Sequence, residues 1–130
     1  GYDLKDKSSG HDYTNYRKEQ AAWLATALKG EDVQTAKFKV VLMHIPPIAG
    51  SSPVSKELSE LFVPMLEEAG ITLMISGYTH KSKMHEVNKK CDFPILVNGT
   101  NTLLNLRATQ EHLDIVVEDF YGKELNTYSF

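Results

Sequence analysis

Two apolar runs that each end in a histidine limit this chain more than any other feature. The first is Phe38-Lys-Val-Val-Leu-Met43, followed by His44-Ile-Pro-Pro47; the second is Ile71-Thr-Leu-Met-Ile-Ser76, followed by Gly77-Tyr-Thr-His80. Near-continuous hydrophobic runs mark strands buried on both faces of a parallel sheet. Pro46 and Pro47 end the first run, since neither can donate to a sheet ladder. Gly77 ends the second. Between them, Leu58, Leu61, Phe62, Met65, Leu66 and Ala69 recur at helical spacing from about Pro53 to Gly70, with Pro64 suited to the first turn of a fresh helix. Strand, helix and strand at this spacing form a βαβ unit, so 38–43 and 71–76 should run parallel. Ligands of open α/β sheets bind beyond the carboxyl ends of such strands. His44, Tyr78 and His80 therefore belong at one sheet edge and are candidates for one site.

The remaining segments fill in around that unit. Residues 1–13 are polar and without periodicity, and are expected to form a poorly ordered loop in which His11 is solvated. Thr14 is placed as the cap of a helix whose inward face is Tyr16, Gln20, Trp23, Leu24, Ala27 and Leu28, with Trp23 in the core and Gly30 as the stop. Residues 31–37 read as a polar connector. After His80 the pattern changes to short alternating runs at 82–87, 94–98, 103–107, 112–118 and 125–130, the mark of antiparallel strands, with a turn at Tyr121-Gly122-Lys123. The fold class is α/β (α+β): a βαβ unit followed by antiparallel strands, in one domain spanning 1–130.

Composition narrows the function classes. A net charge of −3 argues against a nucleic-acid-binding surface, which would show a basic face. No apolar run approaches the roughly 18 residues of a membrane span. The single cysteine, Cys91, excludes an internal disulfide, and with no base beside it reads as a bystander. The chain opens Gly-Tyr-Asp without a methionine, which points to a piece of a longer polypeptide. Imidazole is the commonest metal-ligand side chain. Two at one sheet edge suggest a metal site, although no third or fourth ligand stands nearby in the sequence. His85 and His112 read as surface or structural residues. Ser76 lies inside a strand without the elbow of a hydrolase nucleophile. Structural histidines in a plain α/β domain are the competing reading.

His44-Ile-Pro-Pro after an apolar strand, and Ile75-Ser-Gly-Tyr-Thr-His80 after a helix, resemble the C-terminal half of the calcineurin-like metallophosphoesterases, the superfamily that includes purple acid phosphatases. Tyr16-Arg-Lys-Glu-Gln-Ala-Ala-Trp-Leu24 and Phe93-Pro-Ile-Leu-Val-Asn-Gly99 are similar to segments of secreted bacterial members. The resemblance implies half of an αββα double sandwich and a phosphate-ester substrate hydrolysed by metal-activated water. It implies two divalent metals (Mn, Fe or Zn) in the parent protein and a secreted or periplasmic location. It implies His80 as a ligand of the first metal and His44 of the second, with Tyr78 standing where a histidine usually binds the second metal as well. The family's N-terminal motifs, which carry the bridging aspartate, are absent here. The resemblance thus implies a missing N-terminal half as partner, no tightly bound metal and no activity in these 130 residues alone, and an exposed sheet that could pair with a second copy. The alternative it leaves open is a degenerate binding or regulatory module in which Tyr78 marks the loss of the second metal.

Overall fold

The computed structural model describes residues 5–6, 11–47 and 53–130. Its elements in order are β1 (Lys5–Asp6), β2 (His11–Asp12), α1 (Thr14–Ala27), α2 (Glu31–Thr35), β3 (Val40–Met43), α3 (Pro53–Glu68), β4 (Leu73–Ser76), β5 (Lys83–His85), β6 (Ile95–Val97), β7 (Thr102–Ala108), β8 (Leu113–Asp119) and β9 (Glu124–Ser129). Helices and strands are mixed, in the α/β class read from the sequence. The central sheet has the order β3-β4-β6-β5, and a three-stranded meander β7-β8-β9 forms a second sheet.

The βαβ unit is as the apolar runs require. β3 and β4 pair in parallel with Val40 opposite Leu73 and Met43 opposite Ser76. β6 continues the parallel sheet beyond β4, and β5 closes it antiparallel. The 94–98 run, read as an antiparallel strand, is antiparallel to β5 on one side and parallel to β4 on the other. Its three residues are all buried, which is the signature of a parallel interior strand rather than an alternating one.

Each face of the central sheet has its own core. Val41, Met43 and Met74 face the helices, where Leu58, Phe62 and Leu66 of α3 pack with Ala21 of α1. Leu73 and Leu96 face the meander and meet Ile115 and Val117 of β8, with Leu104, Tyr128 and Phe130 at the margin. The alternation of β8, in which Leu113, Ile115 and Val117 are buried, is what a strand with one dry face must show. Helices, sheet and sheet thus stack in three layers.

α3 runs unbroken through Pro64, which lies inside the helix and not at the start of a new one. Pro64 is exposed, so its ring meets solvent, but its missing N–H still removes a bond to the carbonyl of Glu60. Gly70 ends the segment at φ 68°, with its N–H donating to the Glu67 carbonyl.

α1 corrects the sequence reading most. Trp23 is 69% exposed and Tyr16 55%, and the buried residues are Arg17 and Ala21. The helix is turned by the ion pair between Arg17 Nε and Glu57 of α3, at 2.8 Å, which draws a charged residue inward. Thr14 is the first helical residue, and Tyr13 occupies the cap position. Gly30 has ordinary negative φ and precedes α2, a short helix in the segment read as a connector. Within 1–13, β1 and β2 pair antiparallel; residues 1–4 and 7–10, on which much of the loop expectation falls, lie outside the described residues. The turn at 121–123 is present, with Asp119 Oδ1 accepting the N–H groups of Tyr121 and Lys123 and Gly122 at φ 79°.

Cys91 is buried beside the α3 core, and its thiol donates to the Phe93 carbonyl at 3.2 Å. Burial pushes that thiol's pKa up, with Glu67 and Asp92 adding to the rise. It is a packed thiol.

Candidate functional site

β3 and β4 end side by side, and the chain leaves each with a polar residue. The Gly77 N–H donates to the His44 carbonyl at 3.0 Å, which ties the two strand exits together. A Cβ on Gly77 would stand 3.7 Å from His44 Nδ1, so the imidazole lies directly over the Gly77 backbone. Tyr78 follows and packs edge-on against His44, with ring centroids 5.8 Å apart and planes at 82°. This is the favourable T-shaped arrangement of two π systems.

Tyr78 and His80 both have left-handed backbone, with φ 67° and 62°. Such conformations are unusual for residues with a Cβ and persist where the surroundings hold them. The holding bonds are visible. Thr79 N–H donates to the Gly77 carbonyl at 2.8 Å, and the His80 carbonyl accepts from the N–H and hydroxyl of Thr100 at 3.3 and 3.4 Å. The 77–80 turn is thereby braced against the segment that leaves β6. All three side chains, His44, Tyr78 and His80, are exposed at the carboxyl end of the parallel sheet.

Beneath the turn, Ser76 is buried and its hydroxyl has no partner. The Asn98 N–H donates to the Ser76 carbonyl at 2.7 Å, and the Asn98 side chain is held by Thr102, whose hydroxyl donates to Oδ1 at 2.7 Å. Asn98 and Thr100 were not among the site residues read from the sequence; the signal available was their position at and just past the end of the 94–98 run, the same place on β6 that His44 and Tyr78 hold on β3 and β4.

His85 and His112 lie apart from this edge, and the side chain of His11 is outside the described residues. His85 sits on β5, where burial, reinforced by the positive charge of Lys83, lowers its pKa. His112 is exposed just before β8. Among the described residues no three His, Cys, Asp or Glu side chains stand close enough to hold a metal ion. The donor set at the sheet edge is two imidazoles and a phenol, which suits a divalent cation in kind and falls short of one in number.

Along β3 and up to His44 runs a groove of about 730 Å³, bounded by Trp23 and Leu24 of α1, Leu42 of β3 and Phe62 of α3. β3 is the edge strand of its sheet, and Leu42 is 77% exposed. No described helix is long and apolar enough to cross a membrane.

Comparison of the sequence with protein-family models and with curated proteins finds no match. Among solved structures, the fold is similar to that of GAP50, the anchor in the inner membrane complex of Plasmodium, with a TM-score of 0.63 at 17% identity. The match takes in 98% of this chain and 45% of the other, so the chain spans less than half the length of that structural relative. At this identity the likeness is one of fold: the mixed helix-and-sheet arrangement that carries His44, Tyr78 and His80 to one edge is shared with a larger protein.

Proposed function

We propose that this chain is the C-terminal portion of a calcineurin-like metallophosphoesterase, half of an αββα sandwich, in which His44 and His80 are metal ligands. The observation that carries the reading is the juxtaposition at the sheet edge: His44 and the Gly77–His80 turn leave adjacent parallel strands at the same end, tied by the Gly77–His44 bond. Two exposed imidazoles there are what a metal site on this sheet would draw from these strands. The remaining ligands, including a bridging carboxylate, would come from a segment outside these residues. In such a centre the two metals supply an activated water and charge stabilisation for the phosphoryl oxygens. His44 and His80 would orient the ions, and the braced 77–80 turn would keep His80 from moving. The 130 residues alone would bind no metal tightly and hydrolyse nothing. A secreted or periplasmic bacterial setting goes with this reading.

One observation favours a second reading. Tyr78 lies edge-on against His44 and leaves a phenol where the first reading needs a ligand. A phenol is a weaker donor to a divalent ion than the imidazole that usually serves. A degenerate module that binds a partner and not a second metal fits that contact.

Calorimetric titration with manganese and zinc, on this chain and on one extended upstream, separates the two. Two metals bound and aryl phosphate hydrolysed by the extended protein alone support the phosphoesterase. One metal or none, with no hydrolysis, supports the degenerate module.

A further inference from the structure

Asn98-Gly99 is the one Asn-Gly pair in the chain, and it stands in the segment that leaves β6 and braces the His80 turn. Asparagine is among the thermolabile residues. Its weak point is the side-chain carbon Cγ, which the main-chain nitrogen of the next residue can attack. Glycine, with no Cβ, leaves that nitrogen unshielded.

The fold requires both residues here. A Cβ on Gly99 would stand 2.6 Å from the Ser82 main-chain nitrogen and 2.7 Å from its hydroxyl oxygen, so no side chain fits. Asn98 Nδ2 donates to the Thr102 carbonyl at 3.2 Å, and Asn98 Oδ1 accepts from the Thr102 hydroxyl at 2.7 Å. Only a side-chain amide offers a donor and an acceptor in such a fork. The same bonds restrain the reaction. The Gly99 N–H donates to Ser82 Oγ at 3.0 Å, which holds the proton that must leave. Asn98 Cγ cannot swing onto the Gly99 nitrogen while Thr102 holds both ends of its amide.

We infer that Asn98 is a self-modification site, guarded by Ser82 and Thr102 while this clasp is closed and converted when it opens. On opening, the Gly99 nitrogen gives up its proton and bonds to Asn98 Cγ, and the Cγ–Nδ2 bond breaks to release ammonia. Water then opens the succinimide. Breaking the new Cγ–N bond leaves aspartate at 98. Breaking the original peptide C–N bond leaves isoaspartate, whose side-chain carbon now lies in the main chain. Neither product re-forms the clasp: a carboxylate sets an oxygen against the Thr102 carbonyl, and a lengthened main chain moves Gly99 off Ser82. Conversion therefore frees Thr100 from the His80 carbonyl and unfastens the 77–80 turn. None of this depends on a metal or on the functional reading.

Peptide mapping by mass spectrometry tests it. The tryptic peptide Cys91–Arg107 holds Asn98 together with Asn101 and Asn105, which precede Thr102 and Leu106 and serve as internal controls. The chain is kept at mildly alkaline pH, folded and in urea. Conversion at Asn98 should be at least about tenfold slower in the folded chain than in urea, because it waits on opening. Ser82→Ala and Thr102→Val, each removing one guard, should raise the folded rate at Asn98 toward the urea rate and leave Asn101 and Asn105 unchanged. Buried Cys91 should stay closed to thiol reagents throughout, which marks the opening as local. Equal rates for the folded and urea-held parent overturn the inference, as does an Asn98 that stays intact in urea. So do two folded variants that convert no faster than the parent. The parent comparison needs no substitution and decides the matter if either variant unfolds. Asn98→Asp, the product made directly, should let the Thr100 amide exchange at least about tenfold faster than in the parent. An unchanged Thr100 rate overturns the link to the His80 turn.

Discussion

Tyr78 is the residue at which backbone and side chain make opposite demands. Its ring has a favourable edge contact with His44, while its φ of 67° is one that a Cβ resists. The left-handed conformation costs about 1 kcal/mol for a residue with a side chain, and more when the side chain is β-branched. Tyr78→Val should therefore lose about 1–2 kcal/mol in a urea melt, while Tyr78→Gly stays within about 0.5 kcal/mol of the parent as relief of strain offsets the lost contact. Equal losses for both would mean that the ring contact and not the backbone sets the stability of the turn. His85 makes a different demand. Its folded pKa lies below the ordinary 6.5, so the unfolded chain takes up a proton first as the pH falls. The stability this neutral histidine allows is whole above about 6.5 and is lost as the pH drops from there through the lowered folded value. Unfolding free energy at pH 7.5 and 5.5 should fall more steeply for the parent than for His85→Gln, and parallel slopes would refute this.

At the scale of elements, the two helices that flank the groove owe their placing to different forces. α3 follows its apolar spacing, with Leu58, Phe62 and Leu66 buried in register, and carries Pro64 as a defect on its wet side. Pro64→Ala restores the bond to the Glu60 carbonyl and removes the ring's clash there, so it should stabilise the protein by about 1–3 kcal/mol. A destabilised variant would show that the proline's bend is needed for packing. α1 is placed by charge. Arg17 is buried at 5% exposure against Glu57, so Glu57→Ala should cost about 3 kcal/mol by leaving the guanidinium without its carboxylate. Lys56→Ala, which breaks an exposed pair with Glu60 at 3.9 Å, is the control and should leave the melt unchanged. If the two substitutions behave alike, the rotation of α1 has another cause.

Across the whole molecule, what was legible in the sequence is what burial on both faces dictates. Val40–Met43 and Leu73–Ile75 announce parallel strands because no polar residue interrupts their apolar runs, and the alternation of Leu113, Ile115 and Val117 announces the meander. Trp23 was misread because helical spacing locates an apolar stripe without saying whether anything covers it. A tryptophan over an open groove has the same spacing as one in a core. The site was legible as far as strand ends go, in His44, Tyr78 and His80 at one edge. The bracing of His80 by Thr100 was not, because it depends on where a third strand, distant in sequence, enters the sheet.

Cys91 turns that architecture into its own timepiece. The chain has one thiol, buried against the α3 core and with its pKa raised, so a disulfide reagent in solution reacts with it only while the fold is open. The labelling rate then counts openings of the helix-side core. Measured on the parent and on Glu57→Ala, it reports how far the ion pair that seats α1 against α3 steadies the core behind it.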